Sequence, residues 1–189
     1  MIILIGGAGC TGKTRIACDL MMKFKIPYFS LDVLMMGIFR SDNECGFTPM
    51  SDVDSINKAL WPIIYQMIKT NIENRTDYIY EGIQIQPKNI CEIEKEYKNH
   101  IKSYFLNFTK HYLINRYSLI SEYRNDIEER NDVDDIETSI INNNKMAEKC
   151  IRWKQEIYSF NSNYKSEKKK LLKMIESDIN IGKSKEKDI

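Results

Sequence analysis

Nine residues near the N-terminus have the types and the spacing of a phosphate-binding loop. In order they are Gly6, Gly7, Ala8, Gly9, Cys10, Thr11, Gly12, Lys13 and Thr14, which contain the pattern G-x-x-x-x-G-K-[ST] from Gly7 onward. In this pattern, backbone N–H groups surround phosphate oxygens, the lysine reaches the terminal phosphates and the hydroxyl binds Mg²⁺. We expect residues 7–14 to bind a nucleoside triphosphate. We also expect Lys13 to act in catalysis from a position that faces solvent, and Thr14 to ligate the metal.

The segments on both sides of this loop are those that the motif requires. Residues 1–5 are an apolar run typical of a buried strand. After Thr14, apolar residues recur at Ile16, Leu20 and Phe24, a spacing that places them on one face of a helix. A strand that leads through the loop into a helix distinguishes a phosphate-binding loop from an ordinary glycine turn.

Two carboxylates follow strand-like segments further along the chain. Asp32 comes directly after residues 26–31, and Glu81 comes directly after residues 77–80. In an open parallel sheet, ligands bind at the carboxyl ends of the strands. One carboxylate could bind Mg²⁺ or one of its waters, and the other could orient or deprotonate an acceptor hydroxyl. We assign Asp32 to the acceptor and Glu81 to the metal; the alternative for either residue is a cap on the next helix.

The rest of the chain alternates between strand and helix patterns. Further strands are predicted at residues 101–106 and 157–160. Helices are predicted at residues 33–40, 109–124 and 166–178, and another is predicted to end at residue 156. A long helix is predicted to begin at Ser51, which forms a capping box with Asp54, and to kink or restart at Pro62. Alternation of this kind predicts an α/β fold with a parallel sheet covered on both faces. We expect one domain over residues 1–180 and a frayed tail at 181–189.

An acidic segment and several arginines are candidates for closing the site. Residues 125–137 contain seven acids and one arginine, Arg130, without apolar periodicity, and this composition predicts an exposed lid. The planar guanidinium fork suits phosphate binding. Arg116 and Arg124 are our preferred catalytic candidates, and Arg130 and Arg152 are weaker ones.

Composition limits the possible classes of protein. The chain has 189 residues, of which 42% are hydrophobic and 29% charged, with a net charge of +1. It is long enough to bury a sizeable core, and its charge gives no overall attraction to nucleic acid or anionic membranes. The five cysteines are odd in number and lack a C-x-x-C pair, so we expect reduced thiols. The N-terminus lacks a charged n-region and no apolar stretch is long enough to span a bilayer, so we expect a cytoplasmic location.

Taken together, these motifs resemble the small P-loop kinases, in particular the adenylate-kinase-like and 2-phosphoglycerate-kinase-like proteins. The resemblance rests on the N-terminal phosphate loop, on Ser30-Leu31-Asp32, on Tyr80-Glu81-Gly82 and on an arginine-bearing segment before the last strand. It implies a three-layer α/β/α P-loop NTPase fold with a five-stranded parallel sheet and a small lid. It also implies ATP with Mg²⁺ and transfer of the γ-phosphoryl group to a small-molecule acceptor.

Two other functions are compatible with the same residues. One is a regulatory nucleotide-binding protein that hydrolyses ATP slowly, because a fold does not determine a function. The other is a polynucleotide 5′-end kinase, which would need a basic groove that the acidic lid opposes. We therefore expect neither nucleic acid nor a membrane as a partner.

Overall fold

A computed structural model describes residues 1–123 and 135–186. Within them lies one sheet of five parallel strands: β1 (Ile2–Gly7), β2 (Tyr28–Ser30), β3 (Tyr78–Glu81), β4 (Ile101–Phe108) and β5 (Ile157–Phe160). Their spatial order is β2-β3-β1-β4-β5. The strand that enters the phosphate loop is therefore central, between β3 and β4.

Helices cover both faces of the sheet. They are α1 (Lys13–Phe24), α2 (Leu31–Ser41), α3 (Val53–Glu73), α4 (Pro87–Glu92), α5 (Lys95–Lys98), α6 (Lys110–Tyr123), α7 (Ile136–Arg152) and α8 (Tyr164–Glu186). Side chains of β1 alternate between two cores, because successive residues of a strand point to opposite faces. Leu4 packs with α2 and α3, and Ile5 packs with α1 and α8. The predicted three-layer α/β/α architecture is confirmed.

Several predicted boundaries are wrong by a few residues. Strand β2 ends at Ser30, and α2 already begins at Leu31. Helix α3 is capped by Asp52 instead of Ser51, because the Asp52 carboxylate accepts a hydrogen bond from the Ser55 amide at 2.9 Å. The helix runs through Pro62 as one element. Pro62 lies on the exposed face, where water can bind the carbonyl that loses its helical partner.

The last two helices also differ from the predictions. Helix α7 begins after Asp135, which caps it through the Thr138 amide at 2.6 Å, so the end of the predicted lid belongs to a helix. The rest of that lid, including Arg130, lies outside the described residues, and so does Arg124 at the end of the preceding predicted helix. Helix α8 extends to Glu186, beyond Asn180 where the frayed tail was expected to start. Among the described residues, no helix combines the length and apolarity needed to span a bilayer.

Candidate functional site

The phosphate loop lies between the end of β1 at Gly7 and the start of α1 at Lys13. Its first amide, Ala8 N, donates to Leu106 O of β4 at 2.9 Å. The carbonyl oxygen of Ala8 in turn accepts from Thr11 Oγ1 at 2.9 Å and from Lys13 Nζ at 2.7 Å. The loop is thus anchored to the sheet at one end and closed on itself by two side chains.

Lys13 is buried, with 7% of its surface exposed, so the expectation that it faces solvent is wrong. The reason is its hydrogen bond to the Ala8 carbonyl, which holds the ammonium group inside the loop. A buried ammonium group needs such partners because its desolvation is costly.

Glycine is required at position 12 because of its backbone conformation and because of a close contact with Tyr164. It caps α1 with φ 83°, a left-handed conformation that favours glycine. A Cβ at this position would overlap the hydroxyl oxygen of Tyr164, the first residue of α8. That hydroxyl is buried and has no hydrogen-bond partner among the described residues, and burial raises the pKa of Tyr164.

The two residues expected to hold the metal are neighbours. Thr14 Oγ1 lies 3.2 Å from Glu81 Oε1. Glu81 ends β3 beside β1 and is 2% exposed. Two oxygen ligands beside a phosphate loop fit a hard cation such as Mg²⁺. A cation beside Glu81 would also offset the cost of burying its negative charge.

Asp32 lies in the first turn of α2, two residues beyond the end of β2, where the helix dipole favours a negative charge. Its Oδ1 atom accepts a hydrogen bond from Gln84 Nε2 at 2.8 Å. Because Ser30 and Glu81 are partners in the β2–β3 register, Asp32 and Glu81 follow adjacent strand ends. The prediction that both carboxylates lie at the carboxyl ends of strands is therefore confirmed.

A group of amide side chains next to Asp32 was missed by the sequence analysis. Gln84, Gln86 and Asn89 are buried, with exposures of 0%, 4% and 2%. Asn57 of α3 donates to Gln84 O and, at 2.8 Å, to Asn89 Oδ1. The available signal was the alternation of glutamine with isoleucine after Gly82, which shows polar residues in an otherwise apolar segment.

Comparison with known proteins supports the architecture. The sequence matches no protein-family model and no curated protein. Solved structures that are similar include shikimate kinase from Bacteroides thetaiotaomicron (17% identity, 93% of this chain and 98% of that chain, TM-score 0.51). They also include shikimate kinase from Aquifex aeolicus (14%, 95% and 98%, TM-score 0.50) and a sugar kinase from Janibacter sp. HTCC2649 (10%, 93% and 94%, TM-score 0.53). The fold is that of the small P-loop kinases.

On this P-loop kinase fold, the arginine candidates lie in different places. Arg116 is exposed on α6, which follows the carboxyl end of β4, on the side of the sheet that carries the phosphate loop. Burial raises the pKa of the neighbouring Tyr112, and the charge of Arg116 acts in the opposite direction. Arg152 is the last residue of α7, near the start of β5, and so lies toward the opposite edge.

Two surface cavities of this fold lie away from the phosphate loop. One, of about 720 Å³, is lined by residues of α3, β2 and β3, including Phe29 and Tyr78. The other, of about 300 Å³, includes Lys98, Lys102 and Lys154 near the start of β4. Neither cavity is lined by a residue of the phosphate loop. The candidate site is therefore defined by its hydrogen bonds and charges.

Proposed function

We propose that the protein transfers the γ-phosphoryl group of ATP, with Mg²⁺, to the hydroxyl or phosphate of a small molecule. The observation that carries this proposal is the arrangement of a complete phosphate loop with two carboxylates at adjacent strand ends. Thr14 contacts Glu81, and Asp32 follows the next strand. The names of the solved neighbours, kinases of shikimate and of sugars, support a small-molecule acceptor.

The loop would hold the phosphates through its amides and Lys13. Backbone N–H groups at the N-terminus of α1 offer donors and a partial positive charge to an anion. Lys13 would exchange the neutral Ala8 carbonyl for a charged phosphate oxygen, which makes a stronger hydrogen bond. Phosphoryl transfer depends mainly on positioning and charge neutralisation, and this arrangement supplies both.

Thr14 and Glu81 would hold the metal. When bound, Mg²⁺ would neutralise negative charge on the phosphate oxygens. The hydroxyl would be a direct ligand, and Glu81 would bind the metal or one of its waters. The hydrogen bond that now joins the two side chains keeps both oxygens on the same side of the loop.

Asp32 would act on the acceptor. Its carboxylate would accept the proton of an acceptor hydroxyl, or would hold that proton while the oxygen approaches the γ-phosphorus. Its Oδ1 atom accepts from Gln84 Nε2, which would hold the carboxylate at the edge of the sheet where the acceptor binds.

A thermal-shift measurement tests the proposal directly. Mg-ATP at a hundredfold excess over Kd should stabilise the fold by about 2.7 kcal/mol, which for this length raises the melting temperature by about 5 to 10 °C. Acceptors would then be screened as phosphorylated products formed from ATP. Lys13→Ala should abolish most turnover, while Lys58→Ala, which changes an exposed lysine on α3, should retain it.

Two results would contradict the proposal. One is an unchanged melting temperature with ATP or GTP in the presence of Mg²⁺. The other is full turnover in Lys13→Ala. ATP hydrolysis that needs Lys13 but is indifferent to Asp32→Asn, with no phosphorylated product from any acceptor, would instead support the regulatory ATPase.

A further inference from the structure

Gln84 is a fully buried polar side chain to which the proposed phosphoryl transfer gives no role. It lies three residues beyond the end of β3 and is 0% exposed. Its amide nitrogen donates to Asp32 Oδ1 at 2.8 Å and lies 3.6 Å from Met35 Sδ. A buried amide among apolar neighbours needs a reason, because burying polar groups is unfavourable unless they are well paired.

The other end of the same amide is not paired. Gln84 Oε1 is buried and has no hydrogen-bond partner among the described residues. It packs against Gly82, where an added Cβ would overlap this oxygen and lie 2.9 Å from Leu31 Cβ. An apolar side chain at position 84 would avoid the unpaired oxygen. The amide is therefore explained by what its N–H group does for Asp32.

The backbone of Gln84 is held as firmly as its side chain. Its carbonyl oxygen accepts from Asn57 Nδ2 of α3. Asn57 also pairs with Asn89 through two hydrogen bonds, of 2.8 and 3.2 Å. Asn89 Oδ1 in turn accepts from the backbone N–H of Gln86 at 3.0 Å, which fixes the start of α4. The segment that carries Gln84 is thus fastened to α3 and cannot easily move away from Asp32.

We propose that Gln84 is a positioning residue that orients the Asp32 carboxylate toward the acceptor. By binding the Oδ1 atom, it fixes the rotamer of Asp32 and so holds the carboxylate in one orientation relative to the reacting hydroxyl. This inference rests on the proposed function and adds a residue to it. A misplacement of about 1 Å at a reacting group can lower a rate by about a hundredfold, so this restraint affects catalysis more than binding.

A double-mutant cycle on ATP turnover tests this role. The probe is phosphate release from Mg-ATP with water as the acceptor, in Gln84→Met, Asp32→Asn and the double variant. Gln84→Met should lower kcat by about tenfold and leave KM for ATP within about twofold, because the amide acts through Asp32. In the Asp32→Asn background, Gln84→Met should change kcat by less than about twofold. Equal losses in both backgrounds would overturn the proposal.

Two matched variants separate positioning from a loss of packing. Gly82→Ala leaves Gln84 in the chain but displaces its amide, so it should reproduce the kcat loss of Gln84→Met. Gln66→Met makes the same chemical change at an exposed position of α3 and should leave kcat unchanged. A Gly82→Ala protein with wild-type kcat would contradict the role of the amide.

A spectroscopic measurement tests the contact without turnover. The side-chain amide signal of Gln84 in an NMR spectrum should shift in Asp32→Asn, because the acceptor of its hydrogen bond loses its charge. An unchanged signal would overturn the inference by itself. Full turnover in Lys13→Ala would contradict the proposed function instead, so the two failures are distinguishable.

Discussion

Replacing Gly12 by alanine should destabilise the protein mainly through one atom, the hydroxyl oxygen of Tyr164. A Cβ at position 12 would overlap that oxygen, far inside the 3.0 Å limit that real Cβ atoms respect, whereas the ring carbon Cζ would lie 3.0 Å away. The phenylalanine ring in Tyr164→Phe would lack the overlapping atom. The steric part of the effect should therefore be removable by a second substitution.

The magnitude follows from two contributions. A non-glycine residue in the left-handed region costs about 1–2 kcal/mol, and Gly12 has φ 83°. Overpacking against Tyr164 adds about 1–3 kcal/mol, since α8 must shift its first residue. Gly12→Ala should thus lower the free energy of unfolding by about 2–5 kcal/mol in the wild-type background, and by about 1–2 kcal/mol in the Tyr164→Phe background.

Tyr164→Phe alone should be neutral or stabilising. Its hydroxyl is buried with no hydrogen-bond partner among the described residues, and such a group costs about 1–3 kcal/mol. Removing it leaves the ring packed against Phe160 at a centroid distance of 4.8 Å. Most substitutions of a buried tyrosine are destabilising, so the sign of this effect is a sharp test.

Urea unfolding followed by circular dichroism, without nucleotide, gives the free energy of unfolding of the wild type, the two single variants and the double variant. Gly37→Ala is the matched control, because Gly37 lies inside α2 with nothing near an added Cβ and should gain about 0.5–1 kcal/mol. The cycle should give a coupling energy of about 1–3 kcal/mol. Equal destabilisation by Gly12→Ala in the two backgrounds would refute the reasoning, as would a clear loss of stability in Tyr164→Phe.

Further predictions concern the cysteines and the two carboxylates. Mg-ATP should slow alkylation of Cys10, which is exposed in the phosphate loop, but not of the exposed Cys91, as measured by mass spectrometry. Cys150 should resist alkylation near pH ~8 until the protein unfolds, because burial raises its pKa to about 12 and the thiolate is the reactive form. Glu81→Gln should raise the Mg²⁺ concentration needed for half-maximal activity, and excess Mg²⁺ should restore part of the lost rate. Asp32→Asn should lower transfer by about 10²-fold or more with no such recovery, and the opposite pattern would exchange the two roles.

Features that depend on residues close together in the sequence could be predicted from it. The phosphate loop is a local motif. Its strand was predicted from the apolar run at residues 1–5, and its helix from the hydrophobic periodicity after Thr14. The weak last strand was placed correctly at Ile157–Phe160. Boundaries were less predictable, because Asp52 and Ser51 are both good caps and only the backbone geometry selects between them.

Features that depend on contacts between distant segments could not be predicted. The orientation of Lys13 depends on whether its ammonium group reaches solvent or the Ala8 carbonyl, and the sequence permits both. Arg116 and Arg152 are similar as residues in a pattern, yet α6 begins after the carboxyl end of β4, whereas α7 ends just before the start of β5. Because β4 and β5 are parallel, the two arginines lie toward opposite edges of the sheet.

Gln84 shows why a polar residue in a buried segment is difficult to interpret from sequence. Alternation of glutamine and isoleucine after β3 resembles a half-exposed strand, in which the glutamines would face water. Instead, α2 and α3 cover this segment, so the amides must find partners inside the protein. Asp32 is 52 positions away in the chain and becomes the partner of Gln84 only because β2 pairs with β3. The pairing of β3 with β1 places Glu81 beside the loop, so the position of β3 between β1 and β2 determines both the proposed metal site and the support of the proposed acceptor carboxylate.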